Sequence, residues 1–320
     1  MKVRLIRVTG ADLNLFEFDY DLTWMAFFLN ADERIYGRFG GRDASGPDSR
    51  SSLAGLKYAM EAALAMHKIS TDKPKPRPEK PRRAEDYPAA QRSRGCIHCH
   101  MVAEFRRDYL KSLGTWTRAD VWVYPLPENV GITLETDRGD IVKAVKAASP
   151  ADRAGLRPGD RLRTLNGYSI ASFGDAQFAL HKSPKKGLIP ISWERDAKIT
   201  LGKLDMPDGW RKTNLTWRPS MLSLLPSLSL SGDDLSAEQK KALGLGAKRL
   251  AFKQESFVHR EAKAAGVQPG DVIIGINGQV QDMAMLEFFG YVRQNFLVGD
   301  KVTINILRNG KRVDLPMTLK

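Results

Sequence analysis

Two segments of this chain repeat one pattern, and the repeat constrains the fold more than any other feature of the sequence. Residues 149–160 read SPADRAGLRPGD and residues 259–271 read HREAKAAGVQPGD, and an apolar stretch with an Asn-Gly pair follows each. Each copy fits a short helix closed by glycine, a Pro-Gly-Asp turn, a strand and a second tight turn. A helix pattern and a pair of strands come next in both copies. The second half of the chain is therefore predicted to contain the same small α+β domain twice.

The string A-G-(L/V)-x-P-G-D, a strand and N-G resembles the PDZ family, and most of all the bacterial type found in periplasmic proteases and their regulators. The resemblance covers residues 124–204 and 235–320. It implies two β-sandwich or barrel domains with two helices each. It also implies that each domain binds the C-terminus or an internal strand of another polypeptide, which adds to a sheet edge beside a helix.

The resemblance further implies which residues line the two grooves. A glycine-containing loop of the family receives a carboxylate on its backbone N–H groups. The matching loops are 128–131 and 243–246, followed by edge strands at 132–135 and 247–252. Glu128 opposes a carboxylate, so the second groove is the stronger candidate, and a groove filled by protein packing is the alternative for either domain. The predicted peptide-binding residues are Val130, Gly131, Ile132, Leu134, His181, Leu243, Gly244, Leu245, Gly246, Leu250, Leu286 and Phe289.

The first segment, residues 3–69, reads as strand, turn, strand and helix, which resembles the C-terminal half of a thioredoxin-like domain. The strand and the helix with a C-x-x-C pair that open such a fold are missing, so no thiol–disulfide activity is expected. The whole chain is similar to a planctomycete-type family with thioredoxin-like and PDZ domains, in which an export signal precedes this segment. We therefore expect that the chain begins late, and that the protein works in the periplasm or another compartment outside the cytoplasm.

Composition marks the remaining domain boundaries. Proline alternates with basic residues from Lys73 to Pro78, which predicts an extended linker. The predicted fold class is multidomain α+β. The predicted segments are 1–70 (partial thioredoxin-like domain), 71–94 (basic linker), 95–121 (C-x-x-C-H segment), 122–205 (first PDZ-like domain), 206–234 (connector) and 235–320 (second PDZ-like domain).

The chain has two cysteines, Cys96 and Cys99, and His100 completes a C-x-x-C-H motif. That motif is typical of c-type haem attachment, in which both thiols form thioethers and the histidine is an axial iron ligand. We predict a covalently attached haem c with Cys96, Cys99 and His100 as cofactor-binding residues. Three alternatives stay open: a zinc or copper ion held by these residues together with His98, a redox-active dithiol, and no chemistry at all.

Composition also bears on the classes of function. The formal net charge is +13, but no nucleic-acid-binding motif occurs, so no nucleic-acid partner is expected. No apolar run reaches the length of a transmembrane span. No G-x-S-x-G occurs and no segment has room for a protease scaffold, so a catalytic triad is not expected and the protein is predicted not to be an enzyme.

These features together predict a cell-envelope scaffold or redox protein. It would bind peptide segments through its PDZ grooves, carry a haem c and exchange electrons with a partner. The alternatives are a PDZ adaptor without redox chemistry and a zinc- or copper-binding module at the Cys-His cluster.

Overall fold

The structure of the protein is a computed structural model that describes residues 2–70, 80–92 and 96–320. The chain forms two compact units, and each is described by itself. The first comprises Met1–Thr213 with Trp217–Ser220, and the second comprises Asn214–Thr216 with Met221–Lys320. Both are mixed α+β folds, as the sequence predicts for the fold class.

Short antiparallel sheets build the first unit. One sheet is the hairpin β1–β2, the second is the pair β3–β4, and the third has the order β6-β5-β7-β8. Asn166 and Gly167 have positive φ angles of 48° and 79° and make the tight turn between β5 and β6. The strands are β1 (Ala26–Leu29), β2 (Ile35–Phe39), β3 (Ile132–Leu134), β4 (Val142–Val145), β5 (Arg161–Leu165), β6 (Tyr168–Ser169), β7 (Gly187–Arg195) and β8 (Lys198–Met206).

Serine side chains begin three of the four α-helices found in the described residues of the first unit. Ser52, Ser149 and Ser172 each accept a hydrogen bond from the backbone N–H three residues later, which satisfies a donor that the helix leaves unpaired. The helices are α1 (Leu53–Ile69), α2 (Cys99–Ser112), α3 (Pro150–Arg153) and α4 (Phe173–His181). Short 3-10 helices span Ala84–Asp86, Ala90–Arg92, Arg118–Val121, Pro127–Val130 and Pro219–Leu224.

The first unit has two apolar clusters. The larger one joins the inner faces of its sheets to α4, and its aromatic members are Trp193 and Trp210. The smaller one packs α2 against the N-terminal segment and the residues before α2. Its buried members are Val8, Leu13, Tyr20, Ala84, Tyr87, Ala90, Val102 and Phe105.

One antiparallel sheet organises the second unit, with the strand order β13-β12-β11-β10-β9. Phe252 and Phe288 are fully buried and join the sheet to its long helix. The strands are β9 (Gly232–Asp234), β10 (Phe252–Gln254), β11 (Val272–Ile276), β12 (Lys301–Arg308) and β13 (Lys311–Thr318). The helices are α5 (Ala237–Ala242), α6 (Arg260–Ala264) and α7 (Met285–Asn295).

The sequence repeat is also a repeat of contacts. In the first unit, Arg195 donates to both carboxylate oxygens of Asp160 and to the carbonyl of Gly155. In the second unit, Arg308 donates in the same way to Asp271 and to the carbonyl of Gly266. An arginine at the end of one strand therefore fixes the Pro-Gly-Asp turn in each copy.

The predicted N-terminal order of strand, turn, strand and helix corresponds to β1, β2 and α1. These elements belong to the first compact unit, where β2 packs against α4. Of the predicted linker 71–94, residues 71–79 and 93–94 lie outside the described residues. The part that is described, 80–92, contains two short 3-10 helices instead of a purely extended chain.

Candidate functional site

The first groove lies between a loop, strand β3 and helix α4. The loop is the 3-10 helix Pro127–Val130, which Gly131 ends with a positive φ of 90°. A Cβ on Gly131 would lie 2.1 Å from Ser149 Oγ, so glycine is required at this position. Val130, Ile132 and Leu134 are 0%, 1% and 4% exposed. The structure thus brings together the four residues predicted for this wall of the groove, and their role in binding stays a prediction.

A residue from the N-terminal part of the chain spans this groove. Arg50 Nη1 lies 2.7 Å from Glu128 Oε1 in the loop. The guanidinium carbon of Arg50 also lies 5.1 Å from the centre of the ring of Phe173, the first residue of α4. Arg50 therefore contacts both walls, and the acidic loop residue that the sequence marked as unfavourable for a carboxylate is paired with a cation.

Strand β2 packs along the N-terminal half of α4. The backbone N–H of Arg38 donates to Asp175 Oδ1 at 2.8 Å, and Ser172 Oγ donates to the carbonyl of Arg38. The Arg38 guanidinium lies 3.6 Å from the centre of the Phe178 ring. Burial raises the pKa of Asp175 to about 6, and the hydrogen bond from the Arg38 backbone opposes that rise.

Helix α1 is tied to the connection between β3 and β4. Ser52 Oγ donates to Asp137 Oδ1 at 2.6 Å, and the Tyr58 hydroxyl donates to Asp140 Oδ1 at 2.9 Å. Gly55 allows this close approach, because a Cβ there would lie 2.4 Å from the carbonyl oxygen of Thr136. The N-terminal segment is therefore attached to the first groove at the loop, at α4 and at the end of β3.

His181, a predicted peptide-binding residue, faces the interior of the first unit. Its ring stacks on Tyr124 at 3.9 Å with an interplanar angle of 17°, and its Nδ1 accepts a hydrogen bond from the Tyr124 backbone N–H at 3.3 Å. Gln177 donates to the carbonyl of the same tyrosine at 3.0 Å. Burial lowers the pKa of His181 well below its ordinary value, so the ring is neutral at pH 7.

A cluster of charges that the sequence did not reveal fastens the N-terminal segment to the end of the first unit. Arg218 is fully buried and donates to Asp19 Oδ1 at 2.6 Å and to Asp21 Oδ2 at 3.3 Å. Ser220 donates to Asp21 through its backbone N–H at 2.9 Å and its hydroxyl at 2.8 Å. Almost two hundred residues separate the partners along the chain, and no local sequence pattern predicts such an ion pair.

The second groove has an open strand edge. Strand β9 is the last strand of its sheet, next to β10. Leu235 donates to the carbonyl of Ala251, and Glu255 donates to the carbonyl of Ser231. In an antiparallel pair the hydrogen-bonded positions alternate, so the N–H and C=O groups of Gly232 and Asp234 point away from β10.

Helix α7 begins beside this edge. The Asp234 carboxylate accepts hydrogen bonds from the Met285 backbone N–H at 3.1 and 3.2 Å. The Phe289 ring packs edge-on against Phe252 in β10 at 5.8 Å, and Leu286 is 75% exposed. An exposed leucine and a half-buried phenylalanine on a helix next to a free edge can hold the apolar side chains of an added strand.

The structure places the predicted loop 243–246 elsewhere. These residues follow α5 in the connection between β9 and β10, and the Leu245 N–H donates to the Lys240 carbonyl as a helix C-terminus does. The edge strand predicted at 247–252 is wrong, because β10 begins at Phe252 and has β9 on its outer side. Leu250 is a fully buried core residue. The glycines of this loop thus close a helix, and the segment that leads into β9 is 227–231.

The C-x-x-C-H residues lie where α2 begins. Cys96 and Cys99 are free and exposed, and Cys99 is the first residue of α2. Although the residue is exposed overall, partial desolvation of its sulfur raises the pKa of the Cys99 thiol above its ordinary value. The His98 and His100 rings are parallel with their centres 6.0 Å apart. Within the described ranges, no group of three or more His, Cys, Asp and Glu side chains is placed to hold a metal ion, so the predicted zinc or copper ligands are not brought together.

The surroundings of this motif do not fit a haem. Ile97 and Met101 pack on the small apolar cluster, and Val102 and Phe105 are buried in it. The side chain of His100 is 39% exposed and its Nδ1 lies 3.3 Å from Glu104 Oε1. The apolar side chains beside the motif are thus used in protein packing, and the histidine faces a carboxylate and solvent. Haem c stays a prediction from the motif, and we derive no chemistry from it.

Comparison with known families identifies a PDZ domain. The family described as PDZ domain matches residues 141–195. This range runs from β4 to β7 and includes the Pro-Gly-Asp turn and all of α4. The PDZ resemblance inferred from the repeat is thus confirmed for the first copy.

The curated proteins similar to this chain are periplasmic serine endoproteases. A probable DegP-like endoprotease of Pseudomonas fulva (strain 12-X) is 30% identical over 215 residues, which cover 64% of this chain and 43% of that protein. The pH-dependent endoprotease DegQ of Escherichia coli (strain K12) is 34% identical over 95 residues, or 29% of this chain and 20% of that protein. This chain therefore spans less than half the length of the curated relatives that it matches.

Solved structures of the same type are also similar. The HtrA-type protease AlgW with decapeptide is 18% identical and covers 61% of this chain and 63% of that chain, with a TM-score of 0.28. In the part of the chain that the structure describes, no helix has the length and apolar character needed to cross a membrane.

These comparisons correct several expectations from the sequence. A haem-bearing redox scaffold, its adaptor and metal-module alternatives, and the absence of enzymatic activity are all contradicted, because the relatives are named serine endoproteases. The electron-transfer partner has no support. The thioredoxin-like interpretation has no support from these comparisons, and β1, β2 and α1 belong to the unit that contains the PDZ domain.

Proposed function

We propose that this protein takes part in periplasmic proteolysis of the HtrA type, and that its second unit binds an extended segment of the polypeptide substrate. The names of the relatives supply the compartment and the proteolytic part of the proposal. The geometry supplies the binding part. We assign no residue of this chain to the cleavage step.

The observation that carries the binding part is the free edge of β9. The backbone groups of Gly232, which is buried, and of Asp234, which is exposed, point away from β10, and a peptide that adds along this edge can form main-chain hydrogen bonds with them. Main-chain bonds give affinity for any extended sequence, which suits the recognition of unfolded substrates. Leu286 and Phe289 add a preference for apolar side chains on one face of the added strand.

The charge along β9 narrows the ligand class. Asp233 and Asp234 are both exposed at the edge. Opposite charges on neighbouring strands stabilise a pair, whereas like charges destabilise it. We therefore expect a preference for segments that alternate apolar residues with lysine or arginine, and weak binding of acidic segments.

Cleavage and binding are tested separately on the full chain. Reduced, unfolded casein is incubated with the protein, with and without diisopropyl fluorophosphate, which inactivates serine proteases. Fragments that appear only without the inhibitor support the proteolytic part. Intact casein in both samples, while binding persists, overturns that part alone.

Binding is measured by fluorescence anisotropy with labelled decapeptides of alternating apolar and basic residues. Leu286→Asp is expected to weaken affinity by about tenfold or more, because it removes an apolar contact and adds a charge to the groove. Val280→Asp is the matched control, since Val280 is 70% exposed in the same unit and is not part of the groove. Equal affinity of the two variants would contradict the assignment of the groove.

A further inference from the structure

We infer that the first groove is closed by the protein's own chain: the segment from Arg38 to Arg50, here called the cis cap, occupies the place of a peptide between the loop and α4. The proposed function concerns the second groove, and this inference goes beyond it. The inference assigns the first PDZ domain an occupant within the same chain.

One side chain of the cis cap joins both walls of the groove. Arg50 pairs with Glu128 of the loop at 2.7 Å and lies over the Phe173 ring of α4. A loop that receives a ligand carboxylate needs positive potential, and Glu128 supplies the opposite. The acidic loop is therefore suited to the guanidinium of Arg50 and unsuited to a peptide C-terminus.

The N-terminus of α4 also binds the backbone of the cis cap. Asp175 accepts from the Arg38 N–H, and Ser172 donates to the Arg38 carbonyl. Side chains at the N-terminus of the groove helix thus hold both main-chain polar groups of one residue of the cis cap.

The cis cap and α4 approach each other closely. A Cβ on Gly41 would lie 2.4 Å from the Phe173 ring, and a Cβ on Gly174 would lie 3.0 Å from the carbonyl oxygen of Gly40. Glycines on both sides of the contact remove the side chains that would separate the cis cap from α4. Phe173, which Arg50 and Gly41 contact, is 6% exposed.

The cis cap is held by side-chain contacts and not by a sheet. Among the described strands β2 pairs with β1, and β3 pairs with β4. Opening the groove therefore requires the loss of polar and aromatic side-chain contacts, and it does not require the separation of two paired strands. Ser52 and Tyr58 of α1 add two further tethers at the connection after β3.

The test compares the full chain with the double variant Arg50→Ala/Tyr58→Phe. Hydrogen–deuterium exchange of residues 38–50 and 128–135 is expected to become several-fold faster in the variant. Arg138→Ala is the control, because Arg138 is exposed in the same connection and pairs only locally with Glu135. Unchanged exchange in a folded double variant would overturn the inference. If that variant does not fold, Glu128→Gln removes the charge partner of Arg50 with little change in shape, and the same reading applies.

The number of bound peptides gives a second readout. The labelled decapeptides are expected to bind at one site on the unaltered chain and at two sites on the opened variant. Binding at two sites on the unaltered chain would show that the cis cap does not close the groove. A change from no site to one would reject the proposed role of the second unit and still support the cis cap, so the two proposals fail separately.

Discussion

The first and second units carry the same turn, the same arginine clamp on that turn and a helix beside a strand edge, yet their grooves differ in what covers them. In the first unit, Arg38 and Arg50 contact the groove helix, and Thr133 in the middle of β3 is half-buried. In the second unit, the backbone groups of β9 point outward and Leu286 is largely exposed. The comparison teaches that residues outside the repeat, here Arg38 and Arg50, determine what the groove helix of the first unit contacts.

The two units also differ in where the groove loop lies. In the first, the loop 128–131 leads directly into β3. In the second, the glycine-rich stretch 243–246 ends helix α5, which follows β9 in the sequence. Similar glycine patterns therefore serve a groove in one unit and a helix end in the other.

The largest expected effect concerns the anchor of the N-terminal segment. Arg218→Ala leaves Asp19 and Asp21 buried without their cation, and such a change costs about 3–5 kcal/mol of the free energy of unfolding. Urea denaturation should show a less stable first unit and an unchanged second unit. Equal destabilisation of both transitions would break the comparison, since the cluster lies entirely within the first unit.

The second prediction uses the pH dependence of the contact between β2 and α4. The pKa of Asp175 is raised to about 6 by burial, so the folded state favours the protonated form. Stability from this group is fully present below the ordinary pKa near 3.8 and is lost as the pH rises through about 6. The difference amounts to at most about 3 kcal/mol.

The measurement is urea denaturation between about pH 4 and about pH 7 for the unaltered chain and Asp175→Asn. Subtracting the two curves isolates Asp175 from the other buried carboxylates, such as Asp19, whose pKa burial also raises. A flat difference curve would show that this carboxyl does not couple the contact to pH. The transition of the second unit serves as the internal control.

The third prediction tests the approach of α1 to the first groove. Gly55→Ala places a Cβ 2.4 Å from the carbonyl oxygen of Thr136, so α1 must shift away from the connection after β3. A loss of about 1–3 kcal/mol is expected despite the better helix propensity of alanine. Thermal unfolding monitored by circular dichroism gives the magnitude, and a gain in stability would contradict the contact.

The smallest effect is the matched change in the second unit. Gly290 lies within α7, and a Cβ there would meet nothing within 4 Å. Gly290→Ala should therefore stabilise the protein by up to about 1 kcal/mol. If Gly55→Ala lowers the free energy of unfolding and Gly290→Ala raises it, the contrast between a covered helix in the first unit and an open helix in the second becomes sharper. A loss of stability at Gly290 would mean that α7 is covered too.

Much of the fold was predictable because its signals are local. The Asn-Gly pairs at 166–167, 277–278 and 309–310 all adopt positive φ angles, and the helix and strand that flank each Pro-Gly-Asp turn form where the sequence places them. The order strand, strand, helix near the N-terminus is also present. The interpretation of that segment as thioredoxin-like has no support, and the helix on which β2 packs lies more than a hundred positions away along the chain.

The candidate site was predictable only in part. Val130, Gly131, Ile132 and Leu134 lie together in the loop and strand β3, as contiguous residues must, and their role in binding stays a prediction. His181 was predicted on a helix face that meets a ligand, but its ring packs against Tyr124. A periodic helix pattern identifies which residues share a face, but it does not identify what the face meets.

The sequence by itself determined the repeated unit, because glycine, proline and asparagine fix backbone angles over a few residues. The tertiary structure alone decided which distant residues contact each groove. The contacts of Arg38 with Asp175 and of Arg218 with Asp19 join residues separated by 137 and 199 positions. Such pairs form through packing and burial of charge, for which a single sequence carries no short-range signal.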